Sequence, residues 1–110
     1  MIWRVSLTPE ARDELKQLPV RERAAMEEAF LKLRAEGDQL GAPHSSKVQG
    51  TSETLRELRP RRGSSPWRAF YRRIGDRMVV GAIGPEAVSN KRGFRRSVED
   101  ALERLRGFED

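Results

Sequence analysis

The chain has no cysteine, one histidine and one tyrosine among its 110 residues. Without cysteine there is no disulfide framework and no thiolate metal site, a composition that suits a reducing cytoplasm. A lone His44 argues against a structural zinc ion, so neither a metal nor a cofactor is expected. No apolar run approaches the roughly 18 residues that a membrane span needs. Met1-Ile2-Trp3-Arg4-Val5 meets a charge too early for a secretory signal. A soluble cytoplasmic protein is expected, with no membrane partner and no small-molecule cofactor. Several catalytic signatures are missing as well: no P-loop, no Gly-x-Gly-x-x-Gly, no His-Glu-x-x-His.

Arginine is what the chain does have. Of its 22 basic residues, 18 are Arg, and they are unevenly placed. Residues 44–96 hold 13 Lys/Arg against 4 Asp/Glu, a net of +9 inside a whole-chain charge of +5. A positive middle segment is the electrostatic footprint of a polyanion binder, so nucleic acid or an acidic protein is the expected partner. Arginine-rich surfaces also arise from genome composition, but clustering this local exceeds an even solvated face.

The pattern of apolar residues predicts one domain over 1–110. Ile2–Leu7 alternates as a strand. Thr8-Pro9-Glu10 then opens a helix, with a hydroxyl cap, a proline at the first helical position and an acid in the first turn. A second helix runs from about Val20 to Glu36 and stops at Gly37. Asp38–Ser52 reads as an irregular connector. Three strands follow: Thr54–Arg59, then Trp67 to about Ile74, then Met78–Ile83. The last is the most apolar and is expected centrally. Gly84–Gly93 reads as a second connector, and Phe94–Leu105 as a C-terminal helix. The fold class is α+β in the order β-α-α-β-β-β-α. An N-terminal αα-hairpin covers one face of a small antiparallel-rich sheet, and the other face is expected to be mixed, aromatic and cationic.

Guanidinium groups grip phosphates bidentately and stack on bases, and aromatic rings supply stacking platforms for single-stranded RNA. Arg56, Arg59, Arg68, Arg72 and Arg73 lie on or beside the strands. Arg61 and Arg62 lie on the Pro60–Pro66 loop, and Lys91, Arg92 and Arg95 near the last helix. Trp67, Phe70 and Tyr71 are interleaved with them. Core packing is the competing assignment for Trp67 and Phe70.

The element order, the length and the segment Leu-Arg-Glu-Leu-Arg … Trp-Arg-Ala-Phe-Tyr resemble the RelE/ParE superfamily of type II toxin–antitoxin toxins. The likeness is to its HigB-like, phage-derived branch and covers essentially the whole chain. It implies a RelE-like fold, a cognate antitoxin, and ribosome-dependent, metal-free mRNA cleavage that halts translation. The alternatives are a ParE-like toxin that inhibits DNA gyrase without cutting nucleic acid, or a non-catalytic RNA-binding module. The resemblance places catalytic roles at Arg68, Arg59, Tyr71 and Arg92. RNA contacts would come from Lys47, Arg56, Arg61, Arg62, Arg72, Arg73, Lys91 and Arg95. Glu57 stands where well-known RNase members carry lysine, and Phe94 and Val98 occupy the region where some carry a tyrosine. Proton transfer then falls to Tyr71, Glu57 or His44.

Overall fold

The computed structural model describes residues 2–108. Strand β1 (Arg4–Leu7) leads into helix α1 (Pro9–Gln17), where the Thr8 hydroxyl accepts from the Ala11 amide at 3.1 Å. Helix α2 (Val20–Glu36) follows, and Gly37 ends it at φ +56°, a conformation that favours glycine. A side chain there would also strike Trp3, because a Cβ would fall 2.0 Å from the indole nitrogen.

Four further strands complete the sheet: β2 (Ser45–Lys47), β3 (Arg56–Leu58), β4 (Trp67–Ile74) and β5 (Arg77–Pro85). Their spatial order is β1-β5-β4-β3-β2, with β1 parallel to β5 and the other pairs antiparallel. Strand β2 lies inside the stretch expected to be irregular. It is three polar and cationic residues long, shows no apolar alternation, and exists through its pairing of Ser45 to Leu58 and Lys47 to Arg56. The expected Thr54–Arg59 strand contracts to β3, and Pro60–Gly63 makes a tight turn. Helix α3 (Lys91–Arg106) starts earlier than Phe94, because the Asn90 side chain caps it by accepting from the Gly93 amide at 2.8 Å. Strand β5 is interior, as its apolar run requires, although the middle position belongs to β4.

Helices cover both faces of this sheet. Met26 and Leu33 of α2 and Ala11 of α1 pack with Leu58, Tyr71, Met78 and Val80. On the other face α3 lays Val98, Ala101 and Leu105 against Phe70, Val79 and Ala82. Each buried Leu, Val, Met or Phe among them contributes about 1.5–3 kcal/mol, the alanines less. The face expected to be open is therefore partly closed, because α3 is the one strongly amphipathic segment left after the hairpin is placed.

Two devices seat α3. Phe70 pairs with Ala82 and Tyr71 with Val80, so Gly81 bulges unpaired from β5. With no side chain there, the Ala101 carbonyl comes within 2.9 Å of where a Cβ would lie. Strand β1 pairs only as far as Val80, which leaves the next stretch of β5 to other partners. Glu14 of α1 fills that role, accepting from the Ile83 amide at 2.9 Å and from Arg104 of α3 at 3.1 Å. No helix among the described residues is long and apolar enough to cross a membrane.

Candidate functional site

Alternation along β4 divides the arginines between the two faces. Arg68 and Arg72 share the α3 face with Phe70, while Tyr71 and Arg73 lie on the α2 face with Ala69. Arg68 is 6% exposed. Its Nε lies 3.4 Å from Glu57 Oε1 and its Nη2 3.6 Å from Glu86. Its Nη1 donates to the carbonyls of Ser65 at 2.7 Å and Trp67 at 2.9 Å. Burial pulls its pKa below the usual arginine value, against the opposing pull of Glu86 and Glu57. It stays charged all the same.

Arg59, just beyond β3, donates from Nε to the same Glu57 oxygen at 3.3 Å. With its side chain 35% exposed against 8% for Arg68, it is the solvent-facing guanidinium of the group. The result is a row, Arg59–Glu57–Arg68–Glu86, with equal numbers of positive and negative groups. Glu86 was not legible as a site residue, although it is the lone carboxylate between Arg77 and Val98.

Tyr71 does not join this row. It is buried among the α1 and α2 contacts, and its hydroxyl lies 2.5 Å from Ser45 Oγ on the opposite side of the sheet. The resemblance gives Tyr71 a catalytic role, but the structure places it on the face opposite Arg68: a one-residue step along a strand reverses the side chain, and Tyr71 stands three from Arg68. Arg56 is likewise turned away, donating to Ser45 Oγ at 3.0 Å. Arg73 lies over the Trp3 ring at 4.7 Å and bonds Asp38 at 2.8 Å, also away from the row. These two do not share a surface with Arg68. Lys47 is exposed on the outermost strand β2. Arg72 is buried, its Nη2 3.7 Å from Glu53.

Arg61 and Arg62 sit on the turn after β3 in left-handed backbone, at φ 52° and 58°. Arg61 is bonded to Glu22 of α2, and Arg62 is exposed. His44 is half-buried, its carbonyl accepting from the Arg59 amide at 2.8 Å. It lines a groove of about 560 Å³ with Arg59, Arg61 and Arg62 on one side and Ala29 and Lys32 of α2 on the other.

Helix α3 carries a second cationic group. Lys91, Arg92, Arg95 and Arg96 are exposed, and none forms an ion pair among the described residues. No acid occupies the first turn, so Lys91 and Arg92 sit against the positive end of the helix dipole, each costing about 0.3–1 kcal/mol. Lys91 and Arg95 border a cavity of about 430 Å³ with Phe94, Val98 and Gln49. Phe94 is held edge-on to Phe70, ring centroids 5.2 Å apart. Arg96 belongs to this cluster too; its signal was the i, i+4 repeat of Lys91-Arg92 and Arg95-Arg96. No three His, Asp or Glu side chains among the described residues come together as a metal-binding group.

The model of the family described as Phage derived protein Gp49-like matches residues 13–83, from α1 through most of β5. The chain belongs to this family. The matched Gp49-like region includes Glu57, Arg59 and Arg68 and stops before α3. No curated protein sequence matches significantly. Among solved structures, the free E. coli toxin RelE, as a double arginine-to-alanine variant, superposes with a TM-score of 0.67 at 18% identity. The match covers 96% of this chain and 99% of that one. The RelBE2 toxin–antitoxin complex of Mycobacterium tuberculosis gives 0.61 at 22% identity, covering 78% of this chain and 100% of that one. The fold is thus RelE-like, as the resemblance implied.

Proposed function

We propose that this Gp49-like chain is the toxin of a type II toxin–antitoxin pair, of the HigB-like kind. In this reading it acts in the cytoplasm as an endoribonuclease on ribosome-bound mRNA and so inhibits translation. The observation that carries the reading is the Arg59–Glu57–Arg68 row beside four exposed α3 cations that form no ion pair among the described residues. Unpaired cations at a helix N-terminus lower stability, and a phosphate chain is the partner that reverses that cost.

In the proposed cleavage the RNA 2′-oxygen attacks the adjacent phosphorus and the bond from phosphorus to the 5′-oxygen breaks. Glu57 accepts the 2′-hydroxyl proton, and water protonates the departing 5′-oxygen. Arg59 donates to the non-bridging oxygens, where charge builds in the transition state. Arg68 is a positioning residue: buried, with Nη1 held by the Ser65 and Trp67 carbonyls, it sets its charge against the Glu57 carboxylate. Arg92 moves from a catalytic to a binding role, with Lys91, Arg95 and Arg96.

Expression of the chain in cells tests this. Translation should stop and mRNA should be cut, and Glu57→Gln and Arg59→Ala should each relieve both without loss of fold. A second reading, a non-nucleolytic toxin directed at DNA gyrase, draws support from the mutual engagement of Glu57 with its two arginines. Arrested growth with intact mRNA and altered DNA supercoiling would decide for it. An RNA-binding module without catalysis would bind RNA and leave both intact.

A further inference from the structure

We infer that a hollow between the start of α2 and the turn after β3 is a subsite for one nucleotide of single-stranded RNA. Its base stacks on Trp67, and Arg21 and Arg61 hold the flanking phosphates. That the strand is RNA rests on the function proposed above. The subsite itself lies beyond the Arg59–Glu57–Arg68 row and is read by binding, not by cutting.

Trp67 opens β4 and alternates onto the α2 face with Ala69 and Tyr71, opposite Arg68. Ala69 and Tyr71 are fully buried there, whereas Trp67 is only half-buried. Part of it packs on the core, and it also lines an open hollow of about 690 Å³. Pro19, Val20 and Pro66 supply the other apolar walls, and all three are exposed, Val20 at 72%. Core packing therefore accounts for only part of Trp67. An indole that solvent reaches, beside cations, is the kind of platform on which single-stranded bases stack.

The cations are in place. Arg21 and Arg61 are exposed on the walls of the hollow. The one carboxylate among its walls, Glu22, is engaged by Arg61 and accepts from Ser65 Oγ at 2.8 Å, so it holds Arg61 at this spot. Arg61 also lines the neighbouring groove that contains Arg59 and Arg62. The two cavities share that residue, and Arg59, Arg62, Arg61 and Arg21 form a run of guanidiniums from the row to Trp67. A phosphate backbone, with one charge per nucleotide, matches such a run. An acidic peptide would satisfy the arginines but has no use for the indole; a nucleotide uses both.

The turn itself is built at a cost. Arg61 and Arg62 are the only residues other than glycine at positive φ among the described residues. A Cβ disfavours that conformation, which persists where its surroundings enforce it. Arg68 does so from the opposite face, donating to the Ser65 and Trp67 carbonyls at 2.7 and 2.9 Å, while the Ser64 amide donates to the Arg61 carbonyl at 3.1 Å. Glycine would relieve the strain at either position. The chain carries arginine at both, where the turn delivers them to the groove and the hollow.

The test uses the full chain with its two tryptophans labelled with nitrogen-15, so that Trp3 and Trp67 each give one indole N–H signal. The probe is a short 2′-O-methyl RNA, which binds but has no 2′-hydroxyl to attack the phosphorus. It should shift the Trp67 signal and leave that of Trp3, which lies beneath Arg73, in place. An abasic strand of the same length should bind through its phosphates without moving Trp67. In anisotropy titrations Trp67→Leu should weaken RNA binding about tenfold, the loss of one stacked base, and Trp67→Phe by less. Arg21→Gln should make the log–log salt slope shallower by about 0.7. The subsite is overturned by an unmoved Trp67 signal, by an equal shift with the abasic strand, or by a polyglutamate peptide that moves Trp67 as the RNA does. Cleaved mRNA with an unmoved Trp67 would remove the subsite and keep the proposed function. A shifted Trp67 in a chain that leaves mRNA intact would keep the subsite and remove the cleavage.

Discussion

Across the β3–β4 pair, Arg68 Nε lies 3.4 Å from Glu57 Oε1, both side chains almost fully buried. Removing one member of a buried ion pair strands the other, at about 3–5 kcal/mol. Arg68→Ala leaves Glu57 with Arg59 alone and Glu86 without this partner, so it should lower Tm by roughly 10 °C, measured by thermal denaturation. Glu57→Gln keeps an acceptor for Arg59 and leaves Glu86 beside Arg68, so it should cost only about 1–2 kcal/mol while ending RNA cleavage. An Arg68→Ala protein as stable as the wild type would show that Arg68 does not organise this cluster.

Lys91 and Arg92 oppose the dipole of α3, so function and stability should separate there. Replacing both with glutamine should raise stability by about 0.3–1 kcal/mol per charge. The same variant should bind single-stranded RNA more weakly, its log–log salt slope shallower by about 0.7 per lost phosphate contact. An unchanged slope would remove α3 from the RNA surface.

Glu22 ties α2 to the turn after β3, bonding Arg61 and accepting from Ser65 Oγ at 2.8 Å. Burial raises its pKa, but the Ser65 bond and the Arg61 bond and charge outweigh that, and the net shift is downward. A group lowered on folding stabilises the native state above its unfolded value, here the ordinary 4.5, and loses that contribution as pH falls through the folded value. Denaturant titrations from pH 6 to 3 should show a stability loss below about 4.5 that Glu22→Gln reduces. Identical acid limbs in the two proteins would contradict the assignment.

Glu14 serves the Ile83 amide and Arg104 together, across the part of β5 that β1 does not reach. Glu14→Ala leaves both donors without this acceptor and should cost about 1–3 kcal/mol. Hydrogen exchange at Ile83 should accelerate in step. Protection at Ile83 that survives the substitution would mean another group caps it.

Much of the architecture was legible because burial imposes periods. The 3.6-residue repeat in α2 and α3, the alternation in β1 and β4, and the Thr8-Pro9 and Gly37 boundaries all follow from local chemistry. The RelE-like superposition agrees with the α+β class those patterns predict. Strand β2 was not legible, since Ser45–Lys47 becomes a strand only when β3 lies beside it. The α3 start was missed because Asn90 acts through a cap rather than through periodicity.

The sequence alone determined that arginines crowd residues 44–96, that Arg68 lies within a strand, and that the charge is unevenly spread. Only the tertiary structure decided which of those charges remain available. Alternation along β4 carried Tyr71 to the face opposite Arg68, and long-range pairing joined Arg68 to Glu57 and Glu86, and Arg73 to Asp38. A charge count is additive along the chain. Neutralisation depends on which side chains meet in space, and that is settled by strand register and by which helix covers each face.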